Sequence, residues 1–154
     1  MDTSDPHQLY STFPKLRGAT FEVRSPKTPD YNCIAFAAND TTKLWWPGTP
    51  DAFWPEQASE DETVEAFTEM FGAKGYSECE TRDLEAGFEK VAIFKKGGEV
   101  THAARQLPDG RWISKIGTNV DIAHELSDLE SDLYGEVAVC LHRPVNQDRE
   151  ESEQ

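Results

Sequence analysis

The sequence predicts an α+β domain, two helical segments followed by an antiparallel sheet of about four to six strands. Three observations predict it. The run Ile34-Ala35-Phe36-Ala37-Ala38 follows Asp30-Tyr31-Asn32-Cys33 and has the make-up of a short apolar helix. Val64, Phe67 and Phe71 recur at helical spacing after a Ser59/Glu62 capping box, giving a helix over about 60–73 that Gly72 and Gly75 end. From Glu89 onward, short apolar runs alternate with turn residues, the pattern of paired strands.

Taken in chain order, residues 1–18 mix Pro6, Pro14 and Gly18 with few periodic apolar positions and read as a partly ordered lead-in, with a short strand around 19–23. Pro29-Asp30 supplies helix-start chemistry. Asp30 as N-cap places Cys33 at the third helical position; Asn32 is the alternative cap. Leu44-Trp45-Trp46-Pro47-Gly48 and Phe53-Trp54-Pro55 put three of the four tryptophans in a proline-punctuated loop, either a cover over the core or a platform beside a groove. Strands follow at 91–94, 100–107 and 112–116, joined by turns at Gly97-Gly98 and Pro108-Asp109-Gly110, and together they form an antiparallel meander with His102 at the start of its middle strand. A short acidic helix is expected around 122–129, and Val137-Ala138-Val139-Cys140-Leu141 reads as a central apolar strand. The domain therefore spans 19–145, with 146–154 an acidic disordered tail.

Composition narrows the function classes. At 154 residues the chain has the size of one domain able to bury a core without staples. Its 29 acidic against 15 basic residues leave a formal charge of −14, which disfavours phosphate backbones and anionic lipid and suits a basic protein surface. A solvated surface or a salt-adapted host explains the same balance. No apolar run reaches the roughly 18 residues of a membrane span, and Met-Asp-Thr-Ser-Asp-Pro lacks a signal-peptide pattern. The expectation is a cytoplasmic protein, exported only by a carrier other than its own N-terminus.

Cysteines at 33, 79 and 140 have neither an even count nor close spacing, so a disulfide framework is not expected. Cys79 lies between acids that would raise its pKa, and Cys140 sits in an apolar run that reads as core. Cys33 differs. At a helix N-terminus the free amides and the dipole favour thiolate, and an imidazole such as His102 is the base that a thiol nucleophile needs. The backbone amide of Cys33 and the side chain of Asn32 are candidate oxyanion donors. The bland alternative makes Cys33 a small core residue and His102 a satisfied strand histidine. Asp121 and His124, three residues apart, read as a solvated helix face. No metal-ligand spacing, phosphate loop or cofactor motif is present in the sequence.

Asn32-Cys33-Ile34-Ala35-Phe36-Ala37, with Thr101-His102-Ala103-Ala104-Arg105-Gln106 in the hairpin and Asp109-Gly110-Arg111-Trp112-Ile113-Ser114-Lys115 after it, resembles papain-like thiol hydrolases and their compact NlpC-type branch. The segments Tyr31 to Ala35, Trp45-Trp46-Pro47, Glu62 to Phe67 and Thr101 to Gln106 are more closely similar to an uncharacterised bacterial domain family, over about 20–143. The papain-like resemblance implies a cysteine helix packed on the sheet, with Cys33 as nucleophile and His102 as general base. It also implies an orienting residue one hairpin on, where Ser114 or Lys115 stands in place of the usual histidine, asparagine or acid; Asn119 and Asp121 are further candidates. The expected function is hydrolysis or acyl transfer at an amide of a peptide or similar substrate. The competing expectation is a non-catalytic acidic protein, inhibitor-like or immunity-like, that covers a basic partner and keeps the fold as scaffold.

Overall fold

The computed structural model describes residues 13–16, 21–25, 30–56, 58–116 and 121–145. The acidic tail at 146–154 and most of the lead-in lie outside them, as does Asn119. Within the lead-in, Pro14–Leu16 forms a 3-10 turn, and Phe13 and Leu16 are fully buried.

Seven strands, β1 (Glu22–Ser25), β2 (Ser77–Glu78), β3 (Phe88–Lys96), β4 (Glu99–Gln106), β5 (Trp112–Lys115), β6 (Asp121–His124) and β7 (Glu136–Pro144), make one antiparallel sheet in the order β1-β6-β5-β4-β3-β7-β2. Among the described residues two α-helices, α1 (Cys33–Ala37) and α2 (Val64–Gly72), precede all but the first strand. The α+β class holds, with more strands than the four to six expected: the edge strands β1 and β2 are short, with four and two residues, and β6 lies largely in a stretch expected to be helical.

The β3, β4, β5 meander forms as its turns predict. Gly97 and Gly98 both take positive φ, 62° and 90°, the conformation that a tight hairpin needs and that side chains resist. At the next turn the Leu107 amide donates to the Arg111 carbonyl at 2.7 Å, but β4 and β5 share only two register pairs, Arg105↔Ile113 and Gln106↔Trp112. His102 is thus the fourth residue of β4 and has no partner on β5.

The expected acidic helix over 122–129 is instead β6 followed by a 3-10 turn, Leu126–Leu129. Alternation won: Ile122 and His124 point to one face, and four register pairs bind β6 to β5. The apolar strand β7 is second from the edge rather than central, its length paired with β3 and only its C-terminal half with β2. Helix α2 starts later than expected, since Thr63 is its N-cap, accepting from the Ala66 amide. Phe67 and Phe71, one turn apart, are fully buried.

The sheet separates two cores. On one face α1, α2 and the tryptophan loop cover Val91, Ile93, Ala103, Ile113 and Leu141. On the other, the 3-10 turns and Tyr134 cover Ala92, Phe94, Ala104, Trp112, Ile122 and Cys140. Trp45 is buried, and Trp46 and Trp54 pack edge-on or tilted against Phe67, so the tryptophan loop covers core.

Candidate functional site

Asn32, not Asp30, caps α1: its Oδ1 accepts from the Ala35 amide at 3.0 Å. Cys33 is therefore the first helical residue. The same side chain grips the tryptophan loop, with Nδ2 donating to the Trp45 carbonyl at 2.9 Å and Oδ1 accepting from the Trp45 amide at 3.3 Å. The side chain thus serves as helix cap and loop clamp, with Oδ1 accepting twice and one Nδ2 hydrogen donated to the Trp45 carbonyl.

Cys33 is buried among Ala103, Ile113 and Ile93 on the helix face. Loss of water pushes its pKa up to about 11, against the hydrogen bonds to its sulfur from the backbone of Ala103, Ile34 and Cys33 itself. A five-residue helix does not offset that burial, and the thiol stays protonated near neutrality.

His102 lies on the opposite face. Its strand neighbour Ala103 packs into the core that holds Cys33, and consecutive strand residues point apart. The imidazole stacks on Tyr134, with ring centres 4.2 Å apart and planes 10° from parallel, and meets Phe94 edge-on at 5.2 Å. Both rings belong to the second core. It is fully buried, and neither ring nitrogen has a hydrogen-bond partner. Burial, then the nearby His124, hold its pKa well below the usual value, so it is neutral. The expected pairing of Cys33 with His102 is thereby corrected: the sheet stands between them.

Ser114 does not orient His102 either. Its Oγ lies 2.7 Å from His124 Nε2, and His124 Nδ1 lies 2.7 Å from the Glu125 carbonyl. Only one tautomer satisfies both contacts: Nδ1–H donates to the carbonyl and Nε2 accepts from the serine hydroxyl. Ser114 and His124 are fully buried, and burial lowers the His124 pKa to about 4. Lys115 and Asp121 occupy the Cys33 face instead. Lys115 Nζ sits 4.8 Å over the Tyr31 ring, and the Asp121 carboxylate acts on both Tyr31 and Lys115. Asp121 and His124, expected as helix neighbours, are on opposite faces of β6.

One stretch of the chain concentrates exposed carboxylates. Asp51, Glu56, Glu60, Asp61, Glu62, Glu65 and Glu69 are all exposed, and no lysine or arginine occurs in the sequence from 44 to 73. Ser59 draws two of these together, its amide donating to Glu69 Oε1 at 3.1 Å and its hydroxyl to Asp61 Oδ2 at 2.8 Å. The Glu62 carbonyl accepts from the Val100 amide at 2.8 Å, which brings exposed Glu99 to the same region. The flanking cations lie over aromatic rings of the tryptophan loop, Lys43 over Phe53 and Lys74 over Trp45. Phe53 itself is 41% exposed. The uninterrupted acid stretch was the signal available in the sequence.

Among the described residues, no group of three or more His, Cys, Asp or Glu side chains is placed to hold a metal ion, and no helix is long and apolar enough to cross a membrane. No curated protein and no solved structure matches the chain. The sequence model of one family, described as a domain of unknown function (DUF7689), matches residues 22–142. That match runs from the first residue of β1 into β7 and covers well over half of the chain, so this protein belongs to the DUF7689 family.

Proposed function

We propose that this chain is a non-catalytic acidic binding protein that keeps a papain-like arrangement, a cysteine helix against an antiparallel sheet, as scaffold. The carrying observation is the exposed carboxylate surface from Asp51 to Glu69 with its adjoining aromatic Phe53. Like charges concentrated in one exposed stretch repel one another, and a basic partner relieves that repulsion while the field speeds its approach. Packing of α1 on β4 and β5 supports the scaffold comparison. A hydrolase built on Cys33 and His102 is not proposed, because the sheet separates a protonated thiol from a neutral imidazole.

The test titrates the chain with an arginine-rich peptide at low salt and at about 0.5 M salt, where exposed charges are screened within about 4 Å. Two double variants with equal charge change are compared: Glu65→Lys with Glu69→Lys, and Glu22→Lys with Asp109→Lys, the latter beside Arg111. The expected result is tight, salt-sensitive binding that the α2 pair weakens tenfold or more and the Arg111-side pair weakens far less. Equal losses from both pairs, or binding indifferent to salt, would remove the reading.

A further inference from the structure

Cys79 and Cys140 face one another at the edge of the sheet. The β2–β7 register, Ser77↔His142 and Glu78↔Leu141, continues to Cys79 opposite Cys140, and the Cys79 amide donates to the Cys140 carbonyl at 3.1 Å. Directly opposed residues of antiparallel strands share a face and hold their Cα atoms about 4.5–5.5 Å apart, inside the roughly 4.4–6.8 Å range that a disulfide spans. Both side chains pack on the same core, and both thiols are free. Both also line an open cavity of about 500 Å³ with Thr81 and Arg82, which gives a small reagent room to approach. Their exposure differs. Cys79 is half-buried, its thiol donating to the Thr81 carbonyl at 3.4 Å, whereas Cys140 is buried.

We propose that Cys79 and Cys140 form a redox pair that closes to a disulfide by exchange with a small-molecule disulfide. The more accessible Cys79 loses its proton to water and attacks one sulfur of the incoming disulfide. That S–S bond breaks, a mixed disulfide forms on Cys79, and the first small thiolate leaves and is protonated. Cys140 then loses its proton and attacks the Cys79 sulfur, forming the internal bond and releasing the second small thiol. Two protein thiols are oxidised and one disulfide is reduced to two thiols. Burial, which raises the Cys140 pKa to about 11, fits the order of attack, since Cys140 acts only once its target is held beside it. Closure ties the two-residue strand β2 covalently to β7.

The test incubates the full chain in oxidised and reduced glutathione, blocks remaining thiols with N-ethylmaleimide in acid and digests without reduction. Mass spectrometry is expected to find a Cys79–Cys140 peptide two hydrogens lighter than its parts. The unfolding midpoint of the oxidised chain should rise by on the order of 10 °C, a rise lost in Cys79→Ser. Cys140→Ser should accumulate the mixed disulfide on Cys79; if its buried site does not tolerate serine, the Cys79→Ser comparison alone decides. Wild-type protein that stops at the mixed disulfide, links Cys33 instead, or forms no link would overturn the proposal.

Discussion

Ser114 and His124 form a closed hydrogen-bonded pair beneath the sheet, 2.7 Å from Oγ to Nε2, with the imidazole anchored at its other nitrogen by the Glu125 carbonyl. The group has the form of a serine and base, yet both side chains are fully buried and neither reaches a surface where a substrate can sit. Its effect is on packing. One polar pair satisfies itself inside an apolar layer and fixes how β5 meets β6, while His102 on the same face satisfies nothing.

These two histidines make stability depend on mildly acidic pH. Folding depresses both pKa values, that of His124 to about 4, so between there and the unfolded value near 6.5 the unfolded chain binds more protons. Their contribution is therefore intact above about pH 6.5 and is lost as pH falls toward the folded values. Denaturant unfolding should show a loss of about 1–2 kcal/mol from His124 between pH 7 and pH 5, with a further loss in the same direction from His102, above the range where most carboxylates titrate. His102→Phe, which keeps a ring against Tyr134, should remove the His102 share and make the pH dependence shallower. Stability that is flat over this window would contradict the neutral buried state of both rings.

Cys33 should resist alkylation. Its buried thiol, with pKa about 11, has almost no thiolate at pH 6 and little at pH 8. Site-resolved labelling of native protein should modify Cys79 first and leave Cys33 and Cys140 protected, and His102→Ala should not change the Cys33 rate. Fast labelling of Cys33 at pH 6 that depends on His102 would restore the hydrolase reading and displace the binding one.

Much of the sheet was legible because its signals are local. Gly97-Gly98 and Pro108-Asp109-Gly110 each need nothing beyond their own residues to turn the chain, and Phe67 and Phe71 declare a helix by spacing. The strand 121–124 was hidden, since four residues suit a helix as well as a strand until β5 is beside them. The site failed for a related reason. Whether Cys33 meets His102 depends on the parity of one strand relative to one helix, and a shift of one residue exchanges Ala103 for His102 at the cysteine. Composition alone could not reveal that parity. The acidic stretch was visible as charge but not as place, because the bond from the Ser59 amide that draws in Glu69 reaches across to α2, ten residues on.

Asn32 joins two parts of the helix-side core, and its two variants should separate its roles. Asn32→Asp keeps the acceptor for the Ala35 amide but loses the donor to the Trp45 carbonyl; Asn32→Ala loses both. The expected costs are about 1 kcal/mol for aspartate and about 2–3 kcal/mol for alanine, measured by denaturant unfolding. Greater loss of near-ultraviolet circular dichroism in the alanine variant should report release of Trp45. Equal costs would mean that the clamp on the loop contributes nothing beyond the helix cap.

Gly135 has the closest backbone approach of any described glycine. It pairs with Ser131 through two backbone hydrogen bonds, at 3.0 and 2.7 Å, just before β7, and its φ is 74°. A Cβ there would stand 1.9 Å from the Lys95 carbonyl oxygen and 2.8 Å from its carbon, both backbone atoms of β3 that cannot move without breaking the long β3–β7 ladder. Strain from the positive φ and the steric overlap therefore act together. Gly135→Ala should destabilise by about 2–4 kcal/mol, whereas Gly72→Ala, where a Cβ meets nothing within 4 Å on the exposed end of α2, should be neutral or slightly stabilising. Paired denaturation curves check this, and a Gly135→Ala protein as stable as its parent would show that the turn before β7 lies farther from Lys95 than this packing places it.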